Sequence, residues 1–332
     1  MAGQQHSSPS PTRRVVAGHD VSGKAIILRD GLLTNGKRAD TGLVVTPVWS
    51  TDQTPADVWS DEDFGARPQG IQPPPRSSRL SVVDIPPGFS GVMHRTDTLD
   101  YVTCLSGSVE MEMPGSPTIS LRAGDVMVQQ GTDHRWINRS GETCRLAVVL
   151  IDALTKPDPN RAGWTAHAKP PGTGPLPDPA IRRVVTTRRD GKDAVMFDSI
   201  ASNHKWSGRG TVATLVWSTE GCPADIWGGI DQGERILGHQ PLVEGSRFSV
   251  NDYPPGTPGN MHVTDTLDYA IILAGAIRMD LDDSTVRLGT GDILVQQANN
   301  HSWINEGDVT CRIAFVLLDG KKRPGGEFRR PI

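Results

Sequence analysis

Apolar residues come in short runs of four to eight, most of them β-branched, cut by Gly, Pro and Asp. LSVVDI, DYVTCL, SVEMEM, TISL, DVMVQQ and RLAVVLI are typical. Several alternate apolar and polar side chains with period two, the signature of a half-buried strand. No long stretch repeats at the helical period. The pattern predicts an all-β chain of antiparallel barrels or jelly rolls.

The pattern is written twice. RLSVVDIPPGFSGVMHRTDTLDY (Arg79 to Tyr101) returns 168 residues later as RFSVNDYPPGTPGNMHVTDTLDY (Arg247 to Tyr269). GDVMVQQGTDHRWIN (Gly124 to Asn138) returns as GDILVQQANNHSWIN (Gly291 to Asn305). Upstream, Val44 to Trp59 matches Val212 to Trp227, and RRVV at Arg13 echoes RRVV at Arg182. So long a period denotes two domains rather than a solenoid. The expected division is 1–12 disordered, 13–154 first domain, 155–180 Pro/Gly-rich linker, 181–320 second domain and 321–332 basic tail.

The 332 residues suffice for two barrels of roughly 150 residues each, and the 36 Gly and 26 Pro suit a turn-rich chain. A net charge of -4 shows no nucleic-acid footprint. Basic pairs near Arg13, Arg182 and Arg188 are expected on a solvated surface. The four cysteines show no close pair and no metal-finger spacing. They read as core residues of a reducing compartment. No apolar run suits a signal peptide or a membrane helix. The expectation is a soluble cytoplasmic protein without a nucleic-acid or membrane partner.

Gly88, His94, Thr96, Asp100 and Gly107, then Gly124, His134 and Asn138, stand in an order that resembles the two motifs of the cupin superfamily. Gly256, His262, Thr264, Asp268 and Gly275, then Gly291, His301 and Asn305, repeat it. Two motifs in two tandem copies resemble the bicupins, with paired double-stranded β-helix (jelly-roll) barrels. Both copies depart from the usual pattern. Thr96 and Thr264 replace a histidine, Asp100 and Asp268 replace a glutamate, and Gln130 and Gln297 stand where proline is common.

The resemblance implies a metal site. Two histidines and a carboxylate per barrel (His94, His134 and Asp100; His262, His301 and Asp268) match the set that holds non-haem Fe(II) with open positions. Fe(II) is the favoured divalent ion, with Zn or Mn as alternatives. Asp100 and Asp268 could equally orient a histidine or act as general base. Thr96 and Thr264 would be spacers or hydroxyl donors, placed with the two carboxylates among the candidate catalytic residues. Strand alternation would turn His94, Thr96, Thr98 and Asp100 inward together. Thr98, Trp136, Thr266 and Trp303 are then expected to line the substrate cavities.

Three functions follow as expectations. The first is a metal-dependent oxidoreductase acting on a small organic, perhaps aromatic or polyketide-like, substrate in specialised metabolism. The second is a redox-neutral lyase, isomerase, dehydratase or decarboxylase. The third is a non-catalytic binding or storage bicupin. The resemblance also allows a homodimer.

Overall fold

The computed structural model describes residues 11–68, 70–157 and 173–322. Most of the expected disordered N-terminus, part of the linker and most of the basic tail lie outside these residues. Thr12, placed in that N-terminal segment, is buried, and its carbonyl accepts from the Leu33 amide at 2.8 Å. Among the described residues the regular structure is strand, apart from one short 3-10 turn, as the period-two pattern predicts.

Two eight-stranded sheets dominate, each backed by a small sheet of three or four strands. In the first, Thr98–Ser106 pairs antiparallel with Val126–Gln130 on one side and Cys144–Asp152 on the other. In the second, Thr266–Ala274 lies likewise between Ile293–Gln297 and Cys311–Asp319. Each large sheet closes over its small sheet around a separate apolar core, with Met111, Leu121 and Leu146 in one and Met279, Leu288 and Ile313 in the other.

The expected domain boundaries need correction, because the copies exchange strands. The N-terminal hairpin, Arg13–His19 with Ala25–Leu32, joins the second sheet through a parallel pairing of Arg13–His19 with Ile293–Gln297. The hairpin Arg182–Arg189 with Lys192–Ile200 joins the first sheet through Val126–Gln130. Neither 13–154 nor 181–320 therefore contains a whole sheet. Arg13 and Arg182 seal the exchange by reaching Asp292 and Asp125 at 2.7 Å each. Gln130 and Gln297 take part too: Gln130 donates to the Thr186 carbonyl at 2.7 Å, and its own amide donates to Thr186 Oγ1 at 3.3 Å. A proline there would lack that N–H.

The large sheets face each other across a continuous apolar layer that includes Trp49, Leu80, Tyr101, Trp217, Phe248 and Tyr269. Burying this apolar area favours association of the copies. Two basic residues expected on a solvated surface are buried here. Arg14 forms a two-pronged ion pair with Asp63 at 2.7 and 2.6 Å, and Arg183 does the same with Asp231 at 2.7 and 2.6 Å. Desolvating a guanidinium requires such a partner, which each copy supplies from the loop after Val44–Ser50 or Val212–Ser218. The four cysteines are buried and free, as expected. Among the described residues no helix is long and apolar enough to cross a membrane.

Candidate functional site

Each barrel encloses a cavity, of about 470 Å³ in the first and about 690 Å³ in the second. His94, Thr96, Asp100, His134 and Trp136 line the first. His262, Thr264, Asp268, His301 and Trp303 line the second. The structure thus brings together ten of the twelve residues expected at the sites.

Thr98 and Thr266, expected to line the cavities, do not. The strands begin at Thr98 and Thr266, so strict alternation does not run back to the histidines. Thr98 is buried and hydrogen-bonded on both sides, its hydroxyl donating to Asp100 Oδ1 at 2.5 Å and accepting from the Thr96 hydroxyl at 2.8 Å. It connects two wall residues from behind.

The histidines meet as a pair. His94 and His134 exchange both backbone hydrogen bonds at 2.9 Å, and their ring centroids lie 4.3 Å apart. His262 and His301 pair in register with centroids 4.2 Å apart. Backbone pairing across two short strands fixes the side chains on one face. In each pair one ring is exposed at the mouth (His94, His262) and the other is buried (His134, His301).

Local carbonyls set the tautomers. His94 Nδ1 faces the Val92 carbonyl at 3.0 Å, and His262 Nδ1 faces the Asn260 carbonyl at 2.8 Å. His134 and His301 meet the Thr132 and Asn299 carbonyls at 3.0 and 2.9 Å. A carbonyl oxygen only accepts, so Nδ1 carries the proton and Nε2 keeps its lone pair in all four. The amides of Gln129 and Gln296 also touch the buried rings, at 2.5 and 2.8 Å from Nδ1. An amide can turn either end to a ring, whereas the carbonyl cannot, so the carbonyl decides.

Burial tunes these groups in opposite directions. Desolvation lowers His134 to about 4, with the Thr132 carbonyl opposing, and lowers His301 to about 3. Both are neutral at pH 7. Desolvation raises the carboxyl of Asp100 to about 7 against the Thr98 hydroxyl. It raises Asp268 to about 7 against the Thr266 and Thr264 hydroxyls and Arg247. Each cavity thus pairs a neutral base with a carboxyl that holds or yields a proton near neutrality.

The metal set implied by the resemblance is not assembled. Among the described residues no group of three His, Cys, Asp or Glu side chains comes together as a metal site. In the buried rings Nε2 lies 3.3 Å from the Gln129 amide and 3.2 Å from the Gln296 amide, and Asp100 turns an oxygen to Thr98 instead of completing a triad. Aspartate is one methylene shorter than the glutamate of the usual pattern.

Three features of the cavities escaped the sequence reading. Gln129 and Gln296, next to the glutamines already singled out, touch the buried histidines; their repetition in both copies was the available signal. Arg79 and Arg247 line the cavity walls, and they open the repeated segment. His239 lines the second cavity, where the first has Ile71 at the corresponding position. The motif asparagines are structural: Asn138 donates to the Ile85 and Glu142 carbonyls at 2.8 and 2.9 Å, and Asn305 to those of Tyr253 and Val309 at 2.7 and 2.9 Å.

The family described as Cupin domain matches residues 81–150 and 249–317. The chain is similar to Phomopsin biosynthesis cluster protein C' of Diaporthe leptostromiformis, with 37% identity over 109 residues. That match covers 32% of this chain and 56%, little more than half, of the relative. Two proteins named cupin-domain-containing oxidoreductases are also similar. FogC of Aspergillus ruber is 29% identical over 44% of this chain and 78% of its own, and virC of Hypocrea virens is 30% identical over 44% and 81%. Among solved structures, the putative glyoxylate induced protein of Pseudomonas aeruginosa aligns over 87% of this chain and 86% of its own, with a TM-score of 0.48 and 9% identity.

Proposed function

Since the chain belongs to the cupin superfamily, with two cupin domains in tandem, we propose that it is a small-molecule-processing oxidoreductase of specialised metabolism. The names of its relatives support the reaction class and the setting. One observation carries catalysis rather than storage: each cavity holds a neutral, buried imidazole and a carboxyl raised to about 7. Inert cups have no need of a carboxyl poised near neutrality beside a neutral imidazole. In this reading the Nε2 lone pair of His134 or His301 accepts a proton from the bound substrate. Asp100 or Asp268 returns one. Trp136 and Trp303 wall the cavity, each standing edge-on to its histidine with centroids 5.9 Å apart. Because the three-donor set is not assembled, no step is assigned to a metal.

A second reading, a redox-neutral lyase or isomerase, is favoured by the same acid–base pair, which suffices without an oxidant. The two are told apart by supplying the purified full-length chain with metabolite extract from a producing fungus. Dioxygen uptake, metal content and product masses are then followed. Oxidised products that vanish with His134→Ala plus His301→Ala support the oxidoreductase. Isomeric, dehydrated or decarboxylated products without oxidant consumption support the second reading. Extract that is bound and returned unchanged sinks both.

A further inference from the structure

Six arginines of the described residues are buried: Arg14, Arg79, Arg183, Arg235, Arg247 and Arg312. Four have an acidic partner. Arg14 pairs with Asp63, Arg183 with Asp231, Arg312 with Asp252, and Arg235 with Glu220. Arg79 and Arg247 have none. Arg79 is 7% exposed and Arg247 8%, and neither joins an ion pair among the described residues. Arg79 Nε donates to Ser81 Oγ at 3.2 Å while Nη1 has no partner. Arg247 Nη1 donates to Ser249 Oγ at 3.0 Å while Nε has no partner. Both arginines occupy the same place in the repeat, on the strands Ser78–Ile85 and Ser246–Tyr253, and both line the cavities. Burial pulls Arg247 down to about 10, with Asp268 of the same cavity opposing that pull through space and without an ion pair, so Arg247 is still charged at neutral pH.

A buried guanidinium without a counter-charge is disfavoured unless something else supplies the anion. Here the shortfall occurs twice, at the same position, and faces a cavity each time. A planar guanidinium matches a carboxylate through two parallel hydrogen bonds. The wall beside each arginine, on the neighbouring strand, is apolar: Leu146, Val148 and Leu150 in the first cavity, Phe315 and Leu317 in the second, with Leu150 and Leu317 paired in register with Arg79 and Arg247. We infer that each cup takes a small organic acid, its carboxylate held by Arg79 or Arg247 and its hydrocarbon part lying against that apolar wall. This names a substrate class for the site described above and rests on its reading as a substrate cup.

The test is calorimetric titration of the full chain with phenylacetate, hexanoate, their methyl esters and inorganic phosphate, at fixed ionic strength. The acids are expected to bind at least tenfold more tightly than their esters and than phosphate. Arg79→Met together with Arg247→Met should abolish that preference. Methionine fills similar apolar volume and removes an unpaired charge, so the double variant should melt no lower than the parent, which shows that lost binding is not lost folding. Equal binding of acids and esters, a preference for phosphate, or acid binding that survives the double substitution would overturn the inference. If the double variant instead melts well below the parent, the guanidinium is a structural group and the inference also fails. Because the readout is binding, it is separate from turnover. Acids bound but never converted would count against the enzyme reading alone, and turnover of uncharged substrates without acid binding would count against the organic-acid class alone.

Discussion

The hydroxyl of Tyr101, in the first barrel, lies 2.8 Å from Ser246 Oγ in the second. Tyr269 returns the contact to Ser78 at 3.2 Å. The Tyr101 ring also packs on Phe248 with centroids 4.9 Å apart. A buried hydroxyl pair that spans the interface ties the stability of one copy to the other. Tyr101→Phe removes one partner of Ser246, which keeps Thr219 Oγ1 at 3.0 Å, and should cost about 1 kcal/mol. Combined with Ser246→Ala, it should show a coupling of about 0.5–1 kcal/mol in a double-mutant cycle followed by urea unfolding. Additive losses would mean that the hydroxyls do not interact.

The exchanged hairpins make a stronger claim about the same interface. A fragment ending at residue 157 lacks the hairpin Arg182–Arg189 with Lys192–Ile200, leaving Val126–Gln130 as an unpaired sheet edge. It also uncovers the apolar layer around Trp49 and Leu80. Unpaired edges and large apolar patches promote aggregation. Expressed alone, either half should be insoluble or unfolded by circular dichroism. Halves expressed together should co-purify as a one-to-one complex. A soluble first half with a cooperative thermal transition would contradict the exchange.

In the buried imidazoles, Nε2 is the group proposed to move a proton. His134→Gln or His301→Gln should lower turnover about 10²–10⁴-fold in the barrel concerned, the usual size of a general acid–base contribution. Binding of substrate should change little. His94→Gln and His262→Gln, at the exposed mouth, should act mainly on KM. Steady-state kinetics of the four single variants separates these effects. Comparison of His134→Gln with His301→Gln shows which barrel turns over.

Burial of opposite kinds of group gives a pH signature. A carboxyl raised to about 7, as for Asp268, takes up a proton on folding. Its stabilising contribution is complete below an unfolded pKa of about 4 and is lost as pH rises toward 7. His301, lowered to about 3, works the other way: stability is complete above about 6.5 and lost as pH falls. Between about pH 4 and 6.5 the two oppose each other within one barrel. Asp268→Asn removes only the carboxyl, so the variant should gain stability relative to the parent steadily as pH rises from 4.5 to 7.5. Urea unfolding of chelator-treated protein at four pH values measures this. A constant difference between the two proteins would show that Asp268 is not perturbed.

The repeat and its spacing made the fold and most of the cavity wall legible in the sequence, because His94, Asp100 and His134 sit at fixed positions of a strand pattern that recurs at His262, Asp268 and His301. The strand exchange was not legible. RRVV at Arg13 and Arg182 reads identically whether each hairpin pairs with its own copy or with the other, since local pattern fixes a strand and not its partner. Arg14 and Arg183 were misplaced on the surface for the same reason. Their acids, Asp63 and Asp231, come from loops with no strand period to reveal the pairing. Thr98 was turned inward because alternation was extended past the start of its strand. That the carboxylates do not complete a metal triad is a matter of side-chain placement, which spacing along the chain does not report.

The motif glycines test how closely the two barrels share their local constraints. Gly107 has φ of +69° and Gly275 has φ of +72°, in the left-handed region that a side chain disfavours. A Cβ added at Gly107 would come within 2.7 Å of the Thr143 carbonyl oxygen and 3.0 Å of Cys144 Cα. At Gly275 it would come within 2.8 Å of the Thr310 carbonyl oxygen and 3.0 Å of Cys311 Cα. In both cases the obstacle is backbone, held in the strand that begins at Cys144 or Cys311, and it cannot swing aside as a side-chain tip would. Left-handed strain of about 1–2 kcal/mol adds to an overpacking cost of about 1–3 kcal/mol. Gly107→Ala and Gly275→Ala should therefore each destabilise by about 2–5 kcal/mol, whereas Gly88→Ala, also at positive φ but with open space around its Cβ, should lose only the strain. Thermal and urea unfolding of the three variants measures the ranking. If Gly88→Ala proves as damaging as Gly107→Ala, the contact with the neighbouring strand is not what selects glycine at Gly107.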